Sequence, residues 1–307
     1  MSSIFFSVVI PVFNKGGSVE RMLASVLNQQ HMPSEIIIIN DGSTDNSIQL
    51  INNYNHIFRG IIKVIDQPNL GVSAARNTGI SACSYNYIAL LDADDEWLPC
   101  HLSDIHALIK KYPNSIAYSC SHIVHDSINN FQTKKGVISN SKFILINNFF
   151  VTSARHNILN SSTVVLNFKR IQNPKIFPEG VKAGEDLFAW FSIMGNESIG
   201  YCNHNGVIVH RENDIQRDKR QLLPSYLIKY IYSNKIKLNK NEYKYIWKIW
   251  VAHYYGSIIN KQKKLSLKYI KYGLRLFGLK IFLHIVILII PSNVLKIARN
   301  IYREKKI

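Results

Sequence analysis

The chain has 307 residues, with 37 lysines and arginines against 20 aspartates and glutamates, for a formal net charge of +17. Apolar residues make up 47% of it and charged residues only 19%, enough to bury a core and too much for a solvated, disordered coil. The charge is uneven: residues 1–218 carry 17 basic and 18 acidic side chains, whereas 219–307 carry 20 basic and 2 acidic ones. So basic a segment suits nucleic acid, a membrane surface or plain solvent. Cys83, Cys100, Cys120 and Cys202 are scattered without a CxxC pair. Their spacing indicates neither a zinc site nor a disulfide framework, and a reducing, cytoplasmic setting fits best.

In chain order, the apolar run 6–12 lacks a basic leader and is broken by Pro11 and Asn14 too early for a signal peptide, so it is expected to be a buried strand. Val19, Met22, Leu23, Val26 and Leu27 follow at helical spacing, with Pro33 as the expected stop. Further apolar runs at 35–40, 61–65 and 87–91 show little alternation, the pattern of strands covered on both faces. Between them, Asp41-Gly42-Ser43-Thr44-Asp45 supplies a turn and cap before a helix through Ile48, Leu50 and Ile51, and another helix is expected over 71–83. Alternation of this kind predicts an α/β, doubly wound sheet whose strands open at their carboxyl ends onto one crevice. Beyond it, a helix at 101–111, a strand at 115–124, an apolar stretch at 162–166 and a helix after Glu185 are expected, with no pairing order that the sequence dictates. Composition changes near 218–224, which divides the chain into residues 1–218 and a basic helical region, 219–307.

The chemistry-bearing residues cluster at the ends of those first strands. Asp92-Ala93-Asp94-Asp95 places three carboxylates in four residues directly after an apolar run, an arrangement that is costly unless a cation or donors compensate. A hard divalent cation shared with a diphosphate meets that need, and an acidic helix-capping turn is the simpler structural account. Gly71-Val72-Ser73-Ala74-Ala75-Arg76-Asn77 opens a helix with a glycine and carries Arg76 toward an anion or the acidic cluster; tight helix-on-sheet packing through Ser73, Ala74 and Ala75 explains the same residues.

Taken together, Val8-Val9-Ile10-Pro11-Val12-Phe13-Asn14, Asn40-Asp41-Gly42-Ser43, Asn69-Leu70-Gly71-Val72-Ser73-Ala74-Ala75-Arg76-Asn77 and Leu91-Asp92-Ala93-Asp94-Asp95 resemble, in order and spacing, the motifs of glycosyltransferase family 2. Gly184-Glu185-Asp186 ahead of Leu187, Phe188, Trp190 and Phe191 resembles the family's acidic catalytic motif. The resemblance implies a GT-A fold, a mixed sheet of doubly wound, Rossmann-like type, and an inverting transfer of a hexosyl or N-acetylhexosaminyl group from a nucleotide sugar, UDP-linked by preference. It implies that Pro11, Phe13, Asp41, Gly71 and Arg76 bind the nucleotide, with Phe13 stacked on the base and Asp41 accepting from its ring N–H. Asp92 would contact the ribose and metal-bound water, Asp94 would ligate Mn²⁺ or Mg²⁺, and Asp186 would be the base, oriented by Glu185.

Two departures stand out: Asn40 occupies a position where the family often has a second Asp, and Val207-Ile208-Val209-His210-Arg211 stands near where the family often shows aromatic-Arg-x-His. His210 and Arg211 are thus candidate phosphate or metal contacts, although a lone His ending an apolar strand is commonly structural.

With such an enzyme upstream, the basic region is best suited to an anionic membrane. Residues 265–277 mix Leu, Ile and Tyr with Lys and Arg at helical spacing, and Trp247, Trp250, Tyr254 and Tyr255 are of the kind that sit among lipid headgroups. The apolar run 281–290 is too short to span a bilayer. The implied acceptor is a lipid-linked oligosaccharide of a bacterial surface polysaccharide such as an O-antigen or capsule, reached from the cytoplasmic face. A polyprenyl-phosphate sugar synthase of the same family is the second reading. From another class stand a nucleic-acid-binding protein, disfavoured for want of a recognisable module, and a membrane scaffold.

Overall fold

The computed structural model describes residues 3–57, 60–127, 131–137, 139–211, 223 and 225–285. The chain divides into two compact units: residues 1–181 with 186–212, and residues 182–185 with 213–307. The boundary expected at 218/219 lies outside the described residues.

The first unit is built on a ten-stranded mixed sheet, counted among the described residues, with path order β3-β2-β1-β4-β9-β6-β10-β5. Strands β1 (Phe6–Val12), β2 (Glu35–Asp41), β3 (Ile62–Gln67) and β4 (Tyr87–Leu90) form its parallel half. They alternate with α1 (Val19–Leu27), α2 (Ser47–Ile57) and α3 (Val72–Ser81). Ile36, Ile37, Ile38 and Ile39 are each fully buried, which accounts for the unbroken apolar run, and each contributes roughly 2 kcal/mol of burial. Pro11 is tolerated in a central strand because β1 pairs with β4 only through Val9, so its missing N–H falls beyond that ladder. Helix α1 stops at Leu27 with Asn28 as its cap, well before Pro33, so the proline is not what ends it.

The mixed half follows β5 (Glu96–Trp97) and α4 (His101–Lys111). It consists of β6 (Ala117–Asp126), β7 (Phe131–Lys135), β8 (Phe143–Ile146), β9 (Val165–Asn167) and β10 (Ile199–Arg211), with α5 (Phe149–Ser153) and α6 (Glu185–Met194) inserted. Strand β9 inserts antiparallel between β4 and β6, β10 runs parallel to β6, and β5 pairs antiparallel with β10. Such long-range pairing leaves no local signature, which is why its order is not readable from the sequence.

The second unit holds α7 (Tyr226–Ser233), α8 (Lys240–Ile259), α9 (Lys263–Phe277), a 3-10 turn (Gly278–Ile281) and α10 (Phe282–Ile285). An Asn239–Glu242 capping box starts α8. Contrary to the expectation that they sit among headgroups, Trp250 and Tyr254 are fully buried: their rings stack at 5.0 Å, and Trp250 Nε1 donates to the Tyr269 carbonyl at 2.7 Å. Helix α9 is amphipathic as expected, burying Leu265, Tyr269 and Phe277 and exposing Leu267 and Leu274 beside Lys264, Lys268, Lys271 and Arg275. Leu279, Phe282 and Leu283 are exposed beyond it. Among the described residues no helix is long and apolar enough to cross a membrane; of the run 281–290, residues 286–290 lie outside the described set.

Candidate active site

The parallel half brings three strand-end loops together. Asp41, at the end of β2, is buried and spends both oxygens on the β3–α3 turn: Oδ1 accepts from Gln67 Nε2 at 2.7 Å and from Leu70 N at 2.9 Å, and Oδ2 accepts from Gly71 N at 2.9 Å. A carboxylate has about four acceptor positions, and these bonds take three of them. Gly71 sits at φ +89°, a conformation that glycine adopts freely, and so starts α3 directly against that carboxylate. Gly42 allows the neighbouring turn to close, since a Cβ there would lie 2.9 Å from Asn69 N. Phe13 is half-buried just past β1, and Asn14 at φ +51° uses Oδ1 to accept from Thr44 N at 2.8 Å, tying the first loop to the second.

Helix α3 is pressed on the sheet, with a Cβ at Gly79 falling 2.4 Å from Val9, so the small residues of the 71–77 motif do serve packing. From it the buried Arg76 reaches Asp92: Nη2 lies 2.6 Å from Oδ1, and the guanidinium covers the Phe177 ring at 5.1 Å. Its neighbour Asn77 donates to the Phe177 carbonyl at 2.8 Å and to Glu179 at 3.0 Å, and accepts from Phe177 N at 3.1 Å. Adjacent residues of α3 therefore hold the acidic loop and the segment that leads toward Glu185 and Asp186.

The acidic loop is clamped on every side. Lys15 Nζ lies 2.7 Å from Asp94 Oδ2, Ser18 Oγ donates to the Ala93 carbonyl at 2.9 Å, and Arg21 Nη2 donates to the Asp94 carbonyl at 2.8 Å. Ser162 Oγ donates to Asp95 Oδ2 at 2.5 Å, while His210 N donates to Asp95 Oδ1 at 3.0 Å. Buried Asp95 has its carboxyl held well above the usual carboxylate range, first by burial and then by Asp94 and Asp92. The three acids thus divide: Asp95 is an internal brace, whereas Asp92 and Asp94, with side chains 33% and 38% exposed, face the crevice. Each of those two meets a cationic side chain, Arg76 at Asp92 and Lys15 at Asp94. An oxygen-only donor pair of this kind fits Mg²⁺ or Mn²⁺.

The His210 side chain meets β5 and β6. Its Nε2 lies 3.5 Å from Glu96 Oε2, and its ring packs on His125 at 5.4 Å. Arg211 ends β10, where its carbonyl accepts from Ser127 N at 3.2 Å. Glu185 and Asp186 open α6, and Asp186 Oδ1 accepts from Leu187 N at 2.7 Å. Sequence reasoning missed Lys15, Ser18 and Arg21. Their three-residue spacing, set against an acidic loop in need of donors, was the available signal. Ser162 and Phe177 carried no local signal at all.

The profile for Glycosyl transferase family 2 matches residues 7–168. The chain is 42% identical over 97 residues to the uncharacterized glycosyltransferase YibD of Escherichia coli K12, covering 30% of this chain and 27% of that protein. It is 32% identical over 198 residues to an uncharacterized glycosyltransferase of Rickettsia felis, covering 63% and 31%. The chain thus spans about a third or less of the length of these relatives. Among solved structures, Staphylococcus aureus TarS 1–349 in complex with UDP-GlcNAc superposes with a TM-score of 0.58 at 16% identity, over 87% of this chain and 89% of that one. That likeness is one of fold, the GT-A arrangement of mixed sheet and flanking helices. With the family's profile running from β1 through the acidic loop to β9, the chain belongs to glycosyl transferase family 2.

Proposed function

We propose that this chain is a metal-dependent, inverting glycosyltransferase that moves a sugar from a UDP-sugar to a hydroxyl of a lipid-linked oligosaccharide at an anionic membrane surface, on the way to a bacterial surface polysaccharide. The observation that carries the reading is the division of the acidic loop: one carboxylate is buried as a brace, and two are presented to the crevice with Lys15 and Arg76 beside them. A divalent cation bound there would neutralise the leaving diphosphate. Asp94, with Asp92, would hold it, and Lys15 would release Asp94 to do so. Arg76, fixed by Phe177, would set the orientation of Asp92. Phe13 and Asp41 would seat the base. Asp186, at the start of α6, would take the proton of the attacking hydroxyl, and Glu185 would orient it or the acceptor. TarS, bound to UDP-GlcNAc in its structure, and chondroitin synthase of Pasteurella multocida, 31% identical over 124 residues, support a nucleotide-sugar donor and a glycan product. The exposed Leu and Phe side chains of α9 and α10 among lysines support the membrane surface.

Asp186→Asn tests the mechanism. Transfer should be abolished while UDP and Mn²⁺ binding are retained; lost binding refutes the base assignment. A rate indifferent to the change points instead to an acceptor that is already anionic, a polyprenyl phosphate. Flotation with anionic vesicles tests the surface: salt-sensitive binding is expected, and binding to RNA without vesicles would overturn it.

A further inference from the structure

We propose that Cys100, Asp104 and His204 form a second cation site, completed by a ligand from solvent, built for a thiophilic divalent ion of the zinc class and separate from the oxygen donors of the acidic loop. Cys100 immediately precedes α4 and Asp104 lies in its first turn, while Cys202 and His204 stand on β10. Among the described residues, one donor atom each from Cys100, Asp104 and His204 lies within 4.8 Å of the others. Asp104 Oδ2 is 3.2 Å from His204 Nδ1 and 3.7 Å from Cys202 Sγ.

The Asp104–His204 separation is close to one edge of a coordination tetrahedron, with Cys100 near enough to supply another corner, while Cys202 backs Asp104 from outside the set. Bonds of roughly 2.1 Å to N and O and 2.3 Å to S imply O···N and O···S edges of about 3.4 and 3.6 Å. One sulfur, one nitrogen and one carboxylate oxygen, with water as a fourth ligand, are a donor set that suits zinc better than Mg²⁺. The backbone is shaped for it. The register of β10 against β6 jumps from Cys202↔Cys120 to Asn205↔Ser121, leaving Asn203 and His204 as extra residues in a bulge, a device that re-aims side chains. Gly206 follows, where a Cβ would meet His101 Nδ1 at 2.7 Å, so this approach of β10 to α4 requires a glycine.

Asp104 Oδ1 is held by Lys142 Nζ at 2.7 Å, and that lysine side chain is half exposed, so its ammonium can return to water when a metal arrives. Binding would release the thiol proton of Cys100 to solvent, so affinity rises with pH. A bound ion would fasten α4 to β10, the strand whose His210 N braces Asp95.

The test is a Co²⁺ titration of the full chain, with Mg²⁺ in excess to occupy the oxygen site. Wild type should take up one equivalent with a sulfur-to-cobalt charge-transfer band in the near ultraviolet and intense tetrahedral visible bands, both removed by Zn²⁺. His204→Ala and Cys100→Ser, at exposed and half-buried positions, should melt normally without metal. Each should weaken Zn²⁺ binding by about 100-fold, no less than the loss of an outer-shell partner does. Absence of the charge-transfer band in wild type, or identical titrations for wild type and both variants, would show an ordinary Lys142–Asp104–His204 ion triad and overturn the proposal.

Discussion

The two halves of the sheet handle polarity in opposite ways. In the parallel half the buried stretches of β1, β2 and β4 are mostly apolar, and Asp41, Arg76, Asp92 and Asp94 meet Lys15 and backbone donors around the carboxyl ends. In the mixed half, polar side chains are taken into the interior itself: Ser119, Ser121 and His122 are buried on β6, with His101 on α4 beside Cys120 at 3.5 Å. The crevice pairs its charged groups with one another, whereas the mixed half buries His101 and His122, and that burial pushes both imidazoles down. An active site needs the first solution because charge must be available to a substrate. A scaffold can use the second.

Substitutions separate the two solutions, and the largest effect is expected in the crevice. Asp94→Ala should lower metal-dependent transfer about a thousandfold, the several kcal/mol that a correctly held cation contributes, with the melting temperature almost unchanged. Steady-state rates across a Mn²⁺ series measure this, and an unaltered metal dependence would dissolve the distinction between exposed and buried acids.

Next in size is the acid response of the mixed half. Burial pushes His101 down to about 3 and His122 down to about 4, with Lys135 and Arg211 adding to the latter. Unfolded, both take up a proton near pH 6.5. Between that value and the folded ones the unfolded chain binds more protons, so stability is fully present above about pH 6.5 and is lost as the pH falls. By pH 5 the loss should reach roughly 2 kcal/mol per histidine. Denaturant melts at pH 7 and pH 5 should show it, and His122→Gln should flatten the difference; an equal slope in the variant removes His122 as its source.

The smallest effects come from glycines. Gly206→Ala would force a methyl against His101 and Cys120 Sγ, at 2.7 and 2.8 Å, and should cost about 2 kcal/mol through overpacking. Gly71→Ala meets open space, so only its backbone conformation, φ +89° with ψ 163°, is strained, at about 1 kcal/mol or more. Chemical denaturation of the pair would test whether packing governs one half and loop geometry the other. A larger loss at Gly71 would reverse that assignment.

The same division decides what could be read without a structure. The runs 6–12, 35–40, 61–65 and 87–91 correspond to β1 through β4 within about two residues; β1, β2 and β4 are covered on both faces as expected, whereas β3, at the end of the sheet path, leaves Lys63 and Asp66 exposed. The motif loops follow from those strands, since a doubly wound sheet converges its carboxyl ends. In the mixed half, β5, β7 and β8 are short and pair across long separations, so no period announces them. The aromatic residues of α8 misled for a related reason: Trp250 and Tyr254 carry the composition of a membrane belt, yet stacking and the bond to Tyr269 place them in a core.

By itself the sequence determined that the first unit is an α/β sheet with Asp41, Arg76, Asp92 and Asp94 at one end, and that the positive charge belongs to the region after residue 218. Local periodicity and the steric demands of strand-end turns suffice for that. Only the tertiary structure decided which of three adjacent carboxylates is internal, that Lys15 stands beside Asp94, and that cysteines a hundred residues apart approach a common Asp104. Burial and side-chain distance depend on how β9 and β10 are threaded into the sheet, and no residue's neighbours in the chain encode that.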